Sequence, residues 1–285
     1  MVDSVRTVDT RVGPVPVRVV GDGGPVVLAV HGVLVDGRLW SGVARALAGE
    51  ATVLLPDLPL GAHRRAVPDR SLLTPPSVAQ ALVEILDGLG HERATVLGND
   101  TGGALSQLAV AARPERFEGL VLTSCDAFEH FPPTLLRALP ALARVPGTTR
   151  ALARVFGLPP LLSRPGPLNL LATRPVDRDL VRSWMAPVLA DAAIRDDLTA
   201  FLRGIHPRQT LAAAQALRSY PGPAVIAWSR RDRIFPPADA ERLVALLPEA
   251  TLRWIDGALT FSPLDRPEAV ADAVREALAR VAAAR

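Results

Sequence analysis

Chemistry in this chain is concentrated in one stretch, Val96-Leu97-Gly98-Asn99-Asp100-Thr101-Gly102-Gly103. The apolar run Ala94 to Leu97 predicts a buried strand, and the Ala/Leu-rich segment Ala104 to Ala112, free of Gly and Pro, predicts a buried helix. Gly98 and Gly102 stand two places either side of Asp100. A strand-to-helix reversal that tight forces its central residue into a strained backbone, and only small neighbours leave room for it. Asp100 is then pushed out above the sheet edge as a nucleophile or as an acid–base group. The plainer alternative is an aspartate that caps the helix. A second alternative makes Thr101 the exposed residue, but its neighbours at two places are Asn99 and Gly103, a poorer steric fit.

What surrounds this stretch narrows the chemistry. All 32 basic side chains are arginine, which removes Schiff-base and lysine-bound pyridoxal phosphate chemistry. The five histidines, His31, His63, His91, His130 and His206, are scattered without metal-ligand spacing, so neither a metal nor a cofactor is expected. The net charge is +3 with arginines interspersed among acids, which argues against a nucleic-acid partner. A single cysteine, Cys125, excludes an internal disulfide and fits a reducing cytoplasm. No apolar run approaches the roughly 18–20 residues needed to span a bilayer, and the N-terminus shows no secretory pattern. A cytoplasmic location with no membrane partner is the expectation.

The elements that must position Asp100 follow from patterning. Val5 to Val12 and Val15 to Val20, separated by Gly13-Pro14, predict a hairpin. Val26 to Val30 predicts a central strand running into His31-Gly32-Val33; Leu39 to Ala48 predicts a helix, and Thr52 to Leu55 a strand before Asp57-Leu58-Pro59. Asp57 is expected to tie loop backbone together, and His63 and His91 to sit at the surface. Ser77 to Leu89 has helical spacing. Gly119 to Thr123 predicts another strand, which leads to Ser124-Cys125-Asp126. From Phe131 to about Ser219, prolines punctuate Leu/Ala/Arg segments without any strand pattern. Strands resume at Ala224 to Trp228 and Thr251 to Ile255, with helices at Ala238 to Leu247 and Arg266 to Ala284. A chain of 285 residues suits one catalytic domain with an insertion.

With its elbow, its His-Gly after a strand and its Asp-Leu-Pro loop in this order, the chain resembles the α/β-hydrolase superfamily. The likeness is to the aspartate-nucleophile branch of haloalkane dehalogenases and epoxide hydrolases. The resemblance implies an α/β fold: a mostly parallel central sheet with an N-terminal antiparallel hairpin and an inserted helical cap. The core would comprise residues 1–124 and 220–285 and the cap residues 125–219. It implies a hydrolase acting on ester, carbon–halide or ether bonds. The oxyanion donors would be the backbone N–H groups of Val33 and Thr101. Asp232, four residues beyond a strand and four before Pro236, falls at the family's orienting acid; its alternative reading is a loop cap or a partner for Arg230. Apolar cap residues, among them Leu135, Leu139, Val155, Leu161, Leu162, Leu168, Leu170, Trp184 and Met185, would roof a pocket for a small hydrophobic substrate.

One departure matters most. The family's histidine lies seven residues before the Pro that opens the last helix, and that place holds Thr260; no histidine follows His206. A neutral hydroxyl cannot serve as a base at neutral pH. His130 and Asp126 are the candidates for a displaced base, and His31 could line the site or simply be a buried, hydrogen-bonded ring. Val33 and Thr101 also stand where dehalogenases of this type carry a halide-binding Asn and Trp. The sole tyrosine, Tyr220, precedes a core strand and is not in the cap. Both specific activities are therefore disfavoured. Two readings remain: an enzyme with Asp100 as nucleophile or acid–base group, lyase and isomerase chemistry included, and a silent member that binds an apolar ligand. Asp100 and Asp232 with no imidazole between them should raise one carboxyl's pKa. Oligomeric state is open.

Overall fold

The computed structural model describes residues 3–157 and 170–285. Eight strands form one sheet: β1 (Asp3–Thr10), β2 (Gly13–Val20), β3 (Val26–Val30), β4 (Thr52–Pro56), β5 (Ala94–Asp100), β6 (Phe117–Cys125), β7 (Ala224–Ser229) and β8 (Ala250–Ile255). Their order is β1-β2-β4-β3-β5-β6-β7-β8. Only β2 pairs antiparallel with its neighbours; every other pairing is parallel. The sheet is thus mostly parallel with an antiparallel hairpin at its N-terminal edge, as expected.

The helices are α1 (Ser41–Ala46), α2 (Pro75–Gly88), α3 (Thr101–Ala112), α4 (Leu139–Leu142), α5 (Thr148–Phe156), α6 (Arg178–Ala190), α7 (Ala192–Gly204), α8 (Pro207–Leu217), α9 (Pro237–Leu246), α10 (Ser262–Asp265) and α11 (Pro267–Ala283). In the core, α2 packs on α3 and α1 on α11, while β5 and β6 touch both α3 and α11. With both faces covered, β5 and β7 read as continuous apolar runs. Helices α4 to α8 all lie between β6 and β7.

The site's location follows from topology. After β3 the chain moves outward to β4, then crosses back to place β5 on the other side of β3. Ligands of open α/β sheets bind outside the carboxyl ends of the strands where the order reverses. Here those ends carry His31-Gly32-Val33 after β3 and Asp100 at the end of β5.

Three local differences from the expectations have physical reasons. The hairpin turn falls at Arg11–Val12, because Gly13, at φ 99°, already pairs with Thr10. The helix expected over Leu39 to Ala48 divides into a 3₁₀ turn, Gly37–Trp40, and α1. The turn expected around Asp100 has no loop at all, since β5 ends at Asp100 and α3 starts at Thr101. That junction closes because a Cβ on Gly102 would strike the carbonyl oxygens of Val30 and His31, and one on Gly103 would strike Cys125.

Candidate active site

Asp100 has φ 54° and ψ −135°, a conformation costing a side-chain-bearing residue about 1–3 kcal/mol. Its side chain does not cap α3. It lies against Gly32, where any Cβ would collide with the carboxylate. The amide N–H groups of Thr101 and Val33 donate toward that carboxylate and favour its charged form. Burial works the other way and is stronger; with help from the nearby Asp232 charge it pushes the Asp100 carboxyl up to about 7. The residue keeps partial solvent access, so a ligand can reach it.

Strain is not confined to the elbow. The non-glycine residues with positive φ among those described are Leu34 (61°), Asp100 (54°) and Phe128 (51°). Each follows or ends one of three adjacent central strands, β3, β5 and β6. Leu34 is held by its N–H to the Leu60 carbonyl at 2.9 Å, which fixes the Val33 amide beside it. Clusters of strained residues mark functional sites more often than chance packing. Nothing in the sequence at Leu34 or Phe128 announces this.

His31 is fully buried and tethers two loops: the Leu58 N–H donates to Nε2 at 2.9 Å, and Nδ1 lies 2.7 Å from the Gly32 carbonyl. An accepting Nε2 places the proton on Nδ1, so the ring is neutral, and burial lowers its pKa in agreement. His31 therefore shapes the Gly32-Val33 loop and offers no free nitrogen. Asp57 accepts from the Gly37 N–H at 3.0 Å on the same loop system.

Asp232 accepts from the N–H groups of Ile234 (2.7 Å) and Phe235 (2.8 Å). The Thr260 hydroxyl donates to its two oxygens at 3.1 and 2.9 Å, and the Ser124 hydroxyl also lies against it. Burial nevertheless raises its pKa. Arg230 is not its partner: it pairs with Asp256 and stacks over Trp254. Asn99, fully buried, donates to the Thr260 carbonyl at 2.7 Å and to the Thr123 hydroxyl at 3.0 Å, locking the Thr260 loop to the sheet. Sequence reasoning passed over this Asn99 role, although a polar residue in an otherwise apolar buried strand was the available signal.

Asp126 lies immediately beyond β6, 1% exposed, and its Oδ2 accepts from the Thr101 hydroxyl at 3.2 Å. Thr101 is the first residue of α3, and the strain sits on Asp100, which leaves Thr101 no place as the projecting residue. His130 is 2.5 Å from Asp239 through Nδ1, on the far end of the Asp126–His130 loop. Among the described residues, no arginine or histidine bonds to Asp100, Asp126 or Asp232, and no His/Cys/Asp/Glu cluster could hold a metal.

The segment between β6 and β7 touches the core at several points near these strand ends. The Phe261 N–H donates to the Leu171 carbonyl at 2.6 Å, beside Thr260, and Thr173 donates to Asp265. Leu198 of α7 meets Leu34 over Gly61. Trp184 and Met185 are buried, whereas Leu135, Val155 and Leu170 are 67%, 46% and 37% exposed and face outward. Leu161, Leu162 and Leu168 lie outside the described residues. His63, expected at the surface, is buried at 6%, because its Nε2 meets Asp197 of α7 at 3.2 Å and its Nδ1 accepts from the Gly61 N–H.

A strained elbow at a topological switch point, with two backbone amides and two buried acids around it, is the candidate site that this α/β sheet builds. The chain belongs to the alpha/beta hydrolase fold family, whose profile matches residues 25–267. It is 27% identical over 270 residues to an uncharacterised protein of Mycobacterium tuberculosis, covering 90% of this chain and 76% of that one. It is 39% identical over 103 residues to lipase LipV of the same species, covering 36% of this chain and 38% of that one. Haloalkane dehalogenase DbeA from Bradyrhizobium elkani superposes over 100% of both chains with a TM-score of 0.81 at 20% identity, a likeness of fold. No helix among the described residues is long and apolar enough to cross a membrane.

Proposed function

We propose that this chain is an acid–base enzyme acting without a cofactor on a small hydrophobic substrate, with Asp100 as the group that moves the proton. Once Asp100 has taken the proton, the Val33 and Thr101 amides that face its carboxylate would shift to the negative charge developing on a substrate oxygen. Asp232, held by Thr260 and two backbone N–H groups, would border the site without an imidazole to orient. Residues 125–219 would form the cap.

The observation that carries this reading is the Asp100 carboxyl, held on the elbow and pushed up to about 7. A general acid or base works best when its pKa lies near the operating pH. As a nucleophile, by contrast, Asp100 would be only partly ionised at neutral pH. It would also leave an ester that Thr260, donating to Asp232, cannot help clear. Lyase or isomerase chemistry on a carbonyl or ring compound needs no such hydrolysis.

Intact-mass measurement after incubation with alkyl halides, epoxides and aryl esters, run beside turnover assays, tests the proposal. The relatives named for halide and ester chemistry put those compounds on the panel. Turnover without an adduct, with a pH–rate inflection near 7 that disappears in Asp100→Asn, supports acid–base work. A stable adduct on Asp100 would replace it with nucleophilic chemistry. Ligand-induced thermal shifts without turnover or adduct would make the chain a binding protein.

A further inference from the structure

Asp126 is sealed in the core with almost nothing to stabilise a charge. Its Oδ2 has one donor, the Thr101 hydroxyl, and its Oδ1 is buried with no hydrogen-bond partner among the described residues. Buried carboxylates elsewhere keep their charge by pairing with a cation or by accepting several N–H bonds. Asp126 has neither. Its own N–H donates to the Asp100 carbonyl at 3.4 Å, so the two residues are tied at the ends of neighbouring strands. Thr101 joins them a second time, since its amide faces Asp100 while its hydroxyl bonds to Asp126.

The surroundings do not supply a missing cation. From β5 and α3 the facing groups are Asp100, Thr101 and Gln107, whose Nε2 donates to the Asp126 carbonyl at 2.8 Å. From β6 there is the buried Cys125 thiol, itself pushed up by burial, and beyond it stand Asp232 and Asp239. His130 and Arg242, which clamp the loop after β6, are engaged elsewhere. His130 meets Asp239, and Arg242 binds Glu129 and Asp239 while stacking over Phe128 at 3.9 Å. These clamps, with the Thr210 hydroxyl on the Phe128 carbonyl, fix the loop after β6.

We propose that Asp126 is a neutral carboxylic acid in the working protein, keeping its proton beside Asp100 so that Asp100 alone carries the negative charge of the pair. It is a positioning residue. When Asp100 takes a proton from substrate, the substrate's H–C or H–O bond breaks, its electron pair stays on the substrate, and Asp126 keeps its own proton throughout. Burial and the neighbouring Asp100 charge both favour that neutral form. Only this catalytic consequence rests on the proposed role of Asp100; the protonation state of Asp126 stands apart from it.

Infrared or carbon-13 NMR titration of the whole chain, labelled at the aspartate carboxyls, reads the state directly and needs no substrate. An un-ionised carboxyl signal should persist well above neutral pH in the wild type. It should survive in Asp100→Asn and in Asp232→Asn and be lost in Asp126→Asn. In Asp126→Asn, an isostere of the neutral acid, the Asp100 inflection should stay within about half a unit of its wild-type position. If Asp126 is instead ionised, no such signal persists, and the same substitution drops the Asp100 inflection by about one unit or more through loss of a like charge. Either result overturns the proposal. Burial also raises the Asp57 carboxyl, so should Asp126→Asn fail to fold, the wild-type, Asp57→Asn, Asp100→Asn and Asp232→Asn spectra decide by elimination. Turnover that Asp100→Asn leaves intact, with the signal still present, would sink the proposed function and leave this inference standing.

Discussion

Asp126 and Asp197 are 1% and 0% exposed, yet the structure treats the two carboxyls in opposite ways. Asp197 accepts from Arg70 Nε at 2.8 Å, from the Val67 N–H at 2.9 Å and from His63 Nε2 at 3.2 Å. Burial works to raise its pKa, but those bonds outweigh burial and hold it below the usual carboxylate range. Asp126 has a single hydroxyl, and burial, reinforced by the Asp100 charge, raises it well above that range. A buried aspartate's charge is thus set by its partners and not by its depth. The paired carboxyl fastens α7 to the loop after β4. The poorly paired one lies beside Asp100, next to where the strand order reverses, and perturbed carboxyls of that kind cluster at functional sites.

The comparison breaks most sharply if Asp100 proves dispensable. Asp100→Asn keeps the shape of the elbow and removes the titrating group, so turnover on any substrate found should fall roughly 100- to 10,000-fold. The steady-state kcat/KM of the purified variant checks this. A loss under tenfold would move the chemistry off the elbow. On the other side, Asp197→Ala strands the buried His63 ring and the Val67 N–H and frees Arg70. Breaking it should cost about 3 kcal/mol, read from urea unfolding at neutral pH.

Proton linkage sharpens the contrast, because the two regions should respond to pH with opposite signs. The Asp100 carboxyl is raised in the folded chain, so between about pH 4 and 7 the native state holds a proton that the unfolded state has lost. Its contribution to stability is therefore present below about pH 4 and declines as pH rises toward 7. Asp100→Asn should be more stable than wild type by on the order of 4 kcal/mol at pH 7, with the gap closing toward pH 4. Asp197 is lowered, so its stabilisation is present above the unfolded value and vanishes as pH falls through the folded one. The Asp197→Ala deficit should accordingly shrink on acidification. Unfolding midpoints of both variants from pH 3 to pH 8 test the pair, and parallel trends would refute the electrostatic division drawn between them.

Much of this was legible in the chain because it rests on local rules. Gly98 and Gly102 around Asp100 announce a tight reversal, since their lack of Cβ is a steric requirement visible in spacing alone. Valine runs punctuated by Gly and Pro give the strands, with turns off by a residue or two. What stayed hidden depends on groups far apart in sequence. His63 looks like a surface histidine until Asp197, 134 residues on, covers it. Asn99 looks like an elbow filler until the Thr260 carbonyl arrives from 161 residues away. The strain at Leu34 and Phe128 comes from docking of whole loops, and propensity carries no trace of it.

The smallest expected effect lies at Thr260, and it tests whether this hydroxyl serves the elbow through Asp232. Its hydroxyl is the side-chain donor bridging both oxygens of Asp232, while the Ile234 and Phe235 amides already hold Oδ1. Thr260→Val preserves shape and removes that donor. Asp232 keeps its two backbone donors and the Ser124 hydroxyl, so the loss of stability should be about 1 kcal/mol, the worth of one hydrogen bond. With its charged form less supported, the Asp232 carboxyl should titrate higher. Because the Asp232 charge helps raise Asp100, a more neutral Asp232 should let the Asp100 inflection move down. A pH–rate or carboxyl-signal titration that instead moves up, or does not move, would show that Asp232 and Thr260 form a structural pair without influence on the elbow.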